Sequence, residues 1–299
     1  MSTAPTTIYS RLSAGRAART SARSPWILLA PAIALYGLVM VYPLLLLLIQ
    51  SFKEAGGAGG VTLANYTRLF SSSVFSSVLL NSFVTAATVT LLCLVLGYPL
   101  AYVISMVGPR LRAFMLAAVV TPVLVGALIR SFAWIALLEN RGIVNSTLMA
   151  TGLTQAPEQL VYNRLGLMIG MVNVMLPFCV LPIVNVMRGI DTRLVPAASS
   201  LGASPMKAFW RVFFPLSMPG VSAGALLTFL LSLGFYITPA LLGGRKDTMI
   251  AQLIQVQVMN LGNFNAAAAM GWVLMGTTVV LLLIYNRFFD LSRVFGGRA

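Results

Sequence analysis

Six apolar stretches, each about 20 residues or longer, dominate this sequence and leave few folds open to it. A helix needs about 20 apolar residues to cross the hydrocarbon core of a bilayer. We therefore predict an all-α membrane protein with six transmembrane helices. The predicted spans are residues 26–49, 79–106, 114–138, 165–187, 221–242 and 266–285.

Prolines inside these spans predict kinks, because each proline removes one backbone hydrogen bond from its helix. The prolines concerned are Pro43, Pro99, Pro122, Pro177, Pro182 and Pro239.

The composition fits lipid rather than water as the main solvent. Hydrophobic residues make up 59% of the chain and charged residues only 9%, whereas soluble domains carry about a quarter charged residues. The net charge of +14 comes from lysines and arginines scattered between the apolar stretches. No basic stripe is interleaved with aromatic residues, so we expect a lipid bilayer and no nucleic acid as the partner of this charge.

The basic residues concentrate in alternate loops, which predicts the orientation. The N-terminal tail, the turn around Arg110, the loop 188–218 and the C-terminal tail hold most of them, and most acidic residues lie in the other loops. The positive-inside rule then places both termini and the loop 188–218 in the cytoplasm. Residues 1–24 are predicted to be a disordered basic tail, and residues 25–299 a transmembrane domain.

The spans offer almost no side chains for catalysis or ion coupling. The chain has no histidine, nucleophile–base pair, metal-ligand cluster or glycine-rich phosphate loop, so we predict that it is not an enzyme and holds no metal or cofactor. Apart from Arg112 and Arg130, near the ends of the third span, the predicted spans carry no acidic or basic side chain. Ion-coupled carriers usually keep such groups at membrane depth, so energy for transport should come from elsewhere. Cys93 and Cys179 are interpreted as small buried hydrophobes.

One stretch, "PAASSLGASPMKAFWRVFFPLSMPG" at residues 196–220, contains repeated helix-starting and helix-stopping residues. Pro196 suits the first turn of a short helix and Gly202 its end. Ser204 followed by Pro205 then predicts the start of a second helix. Pro215 is expected to end that helix before the fifth span begins. The sequence therefore predicts two short helices on the cytoplasmic side.

This stretch resembles the EAA loop of ATP-binding-cassette importer permeases. That pattern reads E-A-A, three residues, G, nine residues, an aliphatic residue, one residue and L-P. The matching positions are Ala197, Ala198, Gly202, Val212 and Pro215. Phe214 stands where leucine is usual, and Pro196 replaces the glutamate.

The resemblance extends to the spermidine/putrescine-type permeases, in the branch of the first of their two permease subunits. Segments such as "NSFVTAATVTLLCLVLGYPLAY" and "MLPFCVLPIVNVMRGID" are similar to that family. It implies the type I importer (MetI-like) fold in the bacterial inner membrane. The implied partners are a second permease, two copies of a cytoplasmic ATPase and a periplasmic solute-binding protein. The implied ATPase-coupling residues are Ala197, Ala198, Leu201, Gly202, Ala203 and Phe209.

The solute is open between two classes. The resemblance implies a polyamine, and the aromatic rings of Trp134, Phe235 and Tyr236 are candidates for cation–π contact with it. Arg130 would instead attract an amino-acid-like, opine-like or phosphonate-like solute that is anionic or zwitterionic. Ser232 completes the predicted solute pathway. A stand-alone carrier or channel is the alternative from another functional class.

Overall fold

Helices make up all the regular secondary structure of this computed structural model within residues 25–53, 60–191 and 193–288, which are the residues that the structure describes. Within these residues, five helices are long and apolar enough to cross a membrane, and one bent pair of helices provides a sixth candidate span. The all-α membrane fold is therefore confirmed. The tail at residues 1–24 lies outside the described residues, and the cytoplasmic orientation of the termini stays a prediction.

The chain divides into two units, residues 1–49 and residues 50–299, each of which is described by itself. Helix α1 (Pro25–Tyr36) continues through a π-helical turn (Gly37–Val41) into α2 (Tyr42–Ser51). These elements cover the predicted first span.

The π-helical turn has a local cause in Pro43. The amide of Tyr42 donates to the carbonyl oxygen of Gly37, five residues earlier. Proline has no N–H, and its ring collides with a preceding carbonyl in a regular α-helix. The wider turn gives the ring room, so the helix continues past the proline.

The second unit is built around three helices that pack against one another, α4 (Ser73–Met106), α8 (Arg164–Arg188) and α11 (Phe214–Leu233). Their core contains Val89, Cys93, Met171, Cys179 and Ile183, all nearly inaccessible to solvent. Both cysteines are free and buried, as predicted. The helices of this unit are α3 (Ala64–Ser71), α4 (Ser73–Met106), α5 (Pro109–Leu124), α6 (Ala127–Leu138), α7 (Ile143–Ala150), α8 (Arg164–Arg188), α9 (Leu194–Ser200), α10 (Pro205–Ala208), α11 (Phe214–Leu233), α12 (Ile237–Leu242), α13 (Ile250–Met259) and α14 (Phe264–Phe288).

The third predicted span, 114–138, is not one helix. Helix α5 ends at Leu124, and the helical segment that starts at Ala127 is bent from it by 98°. Pro122 removes a backbone hydrogen bond in the last turn of α5. Helix α6 then turns to pack against α12, where the hydroxyls of Ser131 and Thr238 are 3.1 Å apart. The predicted kink is a complete break.

The fifth predicted span, 221–242, is wrong at both ends. Pro215 does not end the preceding helix, because α10 leads through a π-helical turn (Phe209–Phe213) directly into α11. The amide of Phe214 donates to the carbonyl oxygen of Phe209, which is the same arrangement as at Pro43. At the other end α11 stops at Leu233, and residues 234–236 separate it from α12.

Three predicted kink sites lie inside uninterrupted helices. Pro99 lies within α4, and Pro177 and Pro182 lie within α8. Neighbouring helices and local adjustments can stabilise backbone groups that a proline leaves free in the membrane. These prolines therefore do not end their helices.

Candidate functional site

Helices α9 and α10 form a loop element at residues 194–208, where the sequence predicts two short helices within the stretch 196–220. Gly202 adopts φ +88°, which a residue with a Cβ rarely does. The amide of Gly202 donates to Ser199 O at 3.0 Å, and the amide of Ala203 donates to Ala198 O at 3.1 Å. This pair of bonds is a Schellman motif, which ends α9 at the predicted glycine.

Helix α10 begins at the predicted cap. The amide of Lys207 donates to the hydroxyl of Ser204 at 3.4 Å, and Pro205 occupies the first helical position, where its missing N–H removes no intrahelical bond. The two helices are therefore joined by a turn whose conformation is set by local hydrogen bonds.

Five of the six predicted coupling residues lie together at this turn: Ala197, Ala198, Leu201, Gly202 and Ala203. The Leu201 side chain is 91% exposed, and Ala197 and Gly202 are exposed beside it. Small residues around an exposed leucine allow close approach by another protein surface.

Phe209, the sixth predicted coupling residue, lies elsewhere. It belongs to an aromatic cluster that we define as Tyr98, Tyr102, Phe209, Phe213 and Phe214. The ring of Tyr102 lies edge-on to Phe213 at 5.2 Å and to Phe209 at 5.5 Å, measured between centroids. The ring of Tyr98 lies 5.7 Å from Phe214. The aromatic cluster thus packs the π-helical turn that follows α10, and the start of α11, against α4.

The attachment is strengthened by one polar contact. The Tyr98 hydroxyl and the Ser217 hydroxyl are 3.0 Å apart, linking α4 to α11. Sequence reasoning missed both tyrosines. Their spacing of four residues, which puts them on one helix face, was the available signal.

A cavity of about 480 Å³ lies behind the loop element, and Pro196 lines it together with Arg112, Arg188 and Asp191. Arg112 donates to the carbonyl oxygens of Ile104, Ser105 and Val107, at 3.2, 3.3 and 2.7 Å. It therefore stabilises the C-terminal end of α4. One carboxylate oxygen of Asp191 accepts a hydrogen bond from the amide of Arg193 at 2.9 Å, just before α9 begins.

The predicted pathway residues occupy α6, the end of α11 and the link to α12. Trp134 packs against the buried cluster of Leu138, Val161 and Leu242, and Phe235 packs against the main core. Their rings therefore have protein partners. Tyr236 differs, because 38% of it is exposed.

Arg130 and Ser232 carry polar atoms without partners. Nε and Nη1 of Arg130 and the Ser232 hydroxyl are buried and accept or donate no hydrogen bond within the described part of the chain. Unpaired buried polar groups are unfavourable. Most buried polar groups in native structures are hydrogen-bonded, so these atoms are candidates for contact with a ligand or another subunit.

The apolar helices contain no carboxylate within the described ranges. The four described acidic residues, Glu139, Glu158, Asp191 and Asp247, all lie in connections between helices. No group of three or more metal-ligating side chains occurs among the residues that the structure describes.

Comparisons with known proteins identify relatives over most of the chain. The chain is 33% identical over 252 residues to the spermidine/putrescine transport system permease protein PotB of Haemophilus influenzae, covering 83% of this chain and 88% of that one. It is 34% identical over 254 residues to PotB of Escherichia coli, covering 84% and 92%.

A comparison with solved structures shows the same fold in another transporter. A bacterial ABC transporter that imports the acidic polysaccharide alginate matches with a TM-score of 0.70 at 19% identity, covering 89% of this chain and 94% of that one. The family described as binding-protein-dependent transport system inner membrane component matches residues 94–293. The chain therefore belongs to this family and is a multi-pass permease subunit of the inner membrane.

Proposed function

We propose that this permease subunit forms half of the membrane channel of an ATP-driven importer for a polyamine of the spermidine or putrescine type. The similarity to the two PotB proteins supports the solute class. The observation that carries the ATP-driven mechanism is the loop element, whose exposed turn occupies the spacing of the EAA pattern. A stand-alone carrier is not retained, because members of this family depend on binding proteins.

The proposed partners are a second permease, two copies of a cytoplasmic ATPase and a periplasmic solute-binding protein. Leu201 inserts into an apolar recess of the ATPase, and the small residues around it let the two backbones approach. Pro196 supplies no carboxylate at the position where the EAA pattern has glutamate. We therefore expect a heterodimer in which the second permease carries the complete pattern.

The aromatic cluster gives a physical route from the ATPase to the membrane helices. Movement of the loop element displaces Phe209 and Phe213, whose rings contact Tyr102 on α4. Because α10 and α11 form one continuous helical segment, the same movement reaches the proposed pathway at the end of α11. Phe209 thus acts in positioning rather than in the ATPase contact itself.

A polyamine crossing this subunit meets no carboxylate on the described apolar helices. Tyr236 offers an exposed ring for cation–π contact, and the Ser232 hydroxyl is a free acceptor. The carboxylates that balance the charge of the solute are therefore assigned to the second permease.

Arg130 favours the second candidate function, import of an anionic or zwitterionic solute, because its buried nitrogens have no acceptor among the described residues. The variant Arg130→Met separates the two. For a polyamine importer we expect spermidine uptake at or above the wild-type level, since a guanidinium repels a polycation. Uptake of an anionic solute by the wild type that is lost in Arg130→Met would instead support the second candidate. Arg110→Met, which removes an exposed arginine at the start of α5, is the control.

The function itself is tested by reconstitution in proteoliposomes with both permeases, the ATPase and the binding protein. We expect spermidine uptake that requires ATP, together with ATP hydrolysis that is stimulated by the loaded binding protein. Uptake by the permeases alone, driven by an ion gradient, would contradict the proposal. If the binding protein loaded with an anionic solute stimulated ATP hydrolysis and the spermidine-loaded form did not, the second candidate function would replace the first.

A further inference from the structure

A basic cavity of about 550 Å³ lies at the N-terminal end of α4, away from the loop element. Its lining combines two cations, three hydroxyl groups, one amide and three apolar side chains. These residues are Arg245, Lys246, Ser73, Ser77, Thr248, Asn81, Val74, Val78 and Leu253.

The two cations stand on a turn that α4 holds in place. The Asn81 side chain donates to Lys246 O at 3.5 Å and to Thr248 O at 3.0 Å. The hydroxyl of Ser82 accepts from the amide of Ile250 at 2.8 Å. The backbone that carries Arg245 and Lys246 is therefore bonded to α4 on the C-terminal side of both residues.

The positive charge of this turn is not neutralised within the described chain. Its only acid, Asp247, is 7% exposed and accepts from the amide of Gly244 at 3.1 Å. The other carboxylate oxygen lies 3.6 Å from Arg164. Neither Arg245 nor Lys246 forms an ion pair with a described residue, and both side chains are exposed.

The length of α4 places the cavity at the membrane surface. The helix has 34 residues and so is about 51 Å long, whereas the hydrocarbon core is about 30 Å thick. The apolar run begins near Leu79. Ser73 and Ser77 therefore lie at the depth of the lipid headgroups, and Val78 lies where the acyl chains begin.

We propose that this cavity binds an acidic phospholipid. The phosphodiester lies between Arg245, Lys246 and the hydroxyls of Ser73 and Ser77, because guanidinium and hydroxyl groups donate well to phosphate oxygens. The glycerol and the first methylenes pack against the apolar side chains. An acidic protein loop would match the cations but would leave Val74, Val78 and Leu253 without an apolar partner. The proposal is independent of the transported solute.

The test measures lipid retention by native mass spectrometry on the assembled transporter, purified from nanodiscs of equal parts phosphatidylglycerol and phosphatidylcholine. We expect the wild type to retain phosphatidylglycerol preferentially. In the double variant Arg245→Gln/Lys246→Gln the preference for phosphatidylglycerol should be about tenfold lower, since each surface cation contributes to anionic-lipid binding. The control Arg110→Gln/Arg141→Gln removes two exposed arginines elsewhere and should retain it.

Three outcomes would overturn the proposal. Equal retention in the double variant and the control would show that the cavity is not the lipid site. Unchanged retention with weaker docking of the binding protein would assign the cations to an acidic protein surface. Complete displacement of the lipid by inorganic phosphate would show recognition of phosphate alone. A thermal unfolding scan of each variant distinguishes lost lipid from lost fold.

Discussion

Replacing Gly224 with valine is expected to prevent stable folding of the permease. A Cβ on Gly224 would lie 2.6 Å from the backbone carbonyl oxygen of Cys179 and 3.3 Å from a side-chain carbon of Ile183. Real Cβ atoms do not approach a backbone oxygen so closely, and α8 cannot retreat without opening the core. Gly220, one turn earlier, faces α8 in the same way. This G-x-x-x-G spacing lets the backbones of α8 and α11 come into contact.

We expect Gly224→Val to destabilise the protein by about 3 kcal/mol or more, at the upper end of what overpacking produces. The measurements are the yield of monodisperse protein in detergent and its thermal unfolding temperature. Gly276→Val is the matched control, because it makes the same change on α14 where nothing lies within 4 Å of the new Cβ. Equal behaviour of the two variants would contradict the close contact of α8 with α11.

Replacing Gly202 with valine is expected to abolish coupled transport while leaving the protein folded in the membrane. Gly202 has φ +88° and no atom within 4 Å of a new Cβ, so the substitution creates backbone strain and not a collision. Such strain is about 1–3 kcal/mol, and the turn relaxes by losing the Schellman bonds that hold Leu201 outward. The proposed contact of Leu201 with the ATPase should then be lost.

The readouts for Gly202→Val are spermidine uptake and ATPase co-purification. Gly152→Val provides a matched control, because Gly152 also has positive φ, at +73°, and open space around it, but it lies between α7 and α8. We expect uptake to be lost in the first variant and kept in the second. Normal uptake and ATPase binding with Gly202→Val would remove the coupling role from this turn.

The helical content and the loop element were predictable because they depend on local interactions. Apolar runs long enough to span a bilayer become helices wherever no other backbone hydrogen bonds are available. Gly202 ends α9 and Ser204 with Pro205 begins α10, since caps and φ preferences act within a few residues. The EAA spacing was therefore interpretable from the residues alone.

Proline was the least reliable signal. Pro122 precedes a complete break, whereas Pro177 and Pro182 lie in the uninterrupted helix α8. Pro215 was expected to end a helix, and a π-helical turn carries the helix past it. The loss of one backbone hydrogen bond is the same at each site, so the different outcomes depend on what packs around the proline.

The sequence by itself determined that this protein is an all-helical membrane protein and at which residue its loop element turns. It also determined that the spans carry no charged side chain apart from two arginines near the ends of the third span. The tertiary structure alone decided that Phe209 faces Tyr98 and Tyr102, that α6 turns toward α12, and that Arg245 and Lys246 border a cavity on α4. Caps and apolar runs act over one or two turns of helix. The other features depend on contacts between residues far apart in the chain, such as Asn81 with Thr248, which no local pattern encodes.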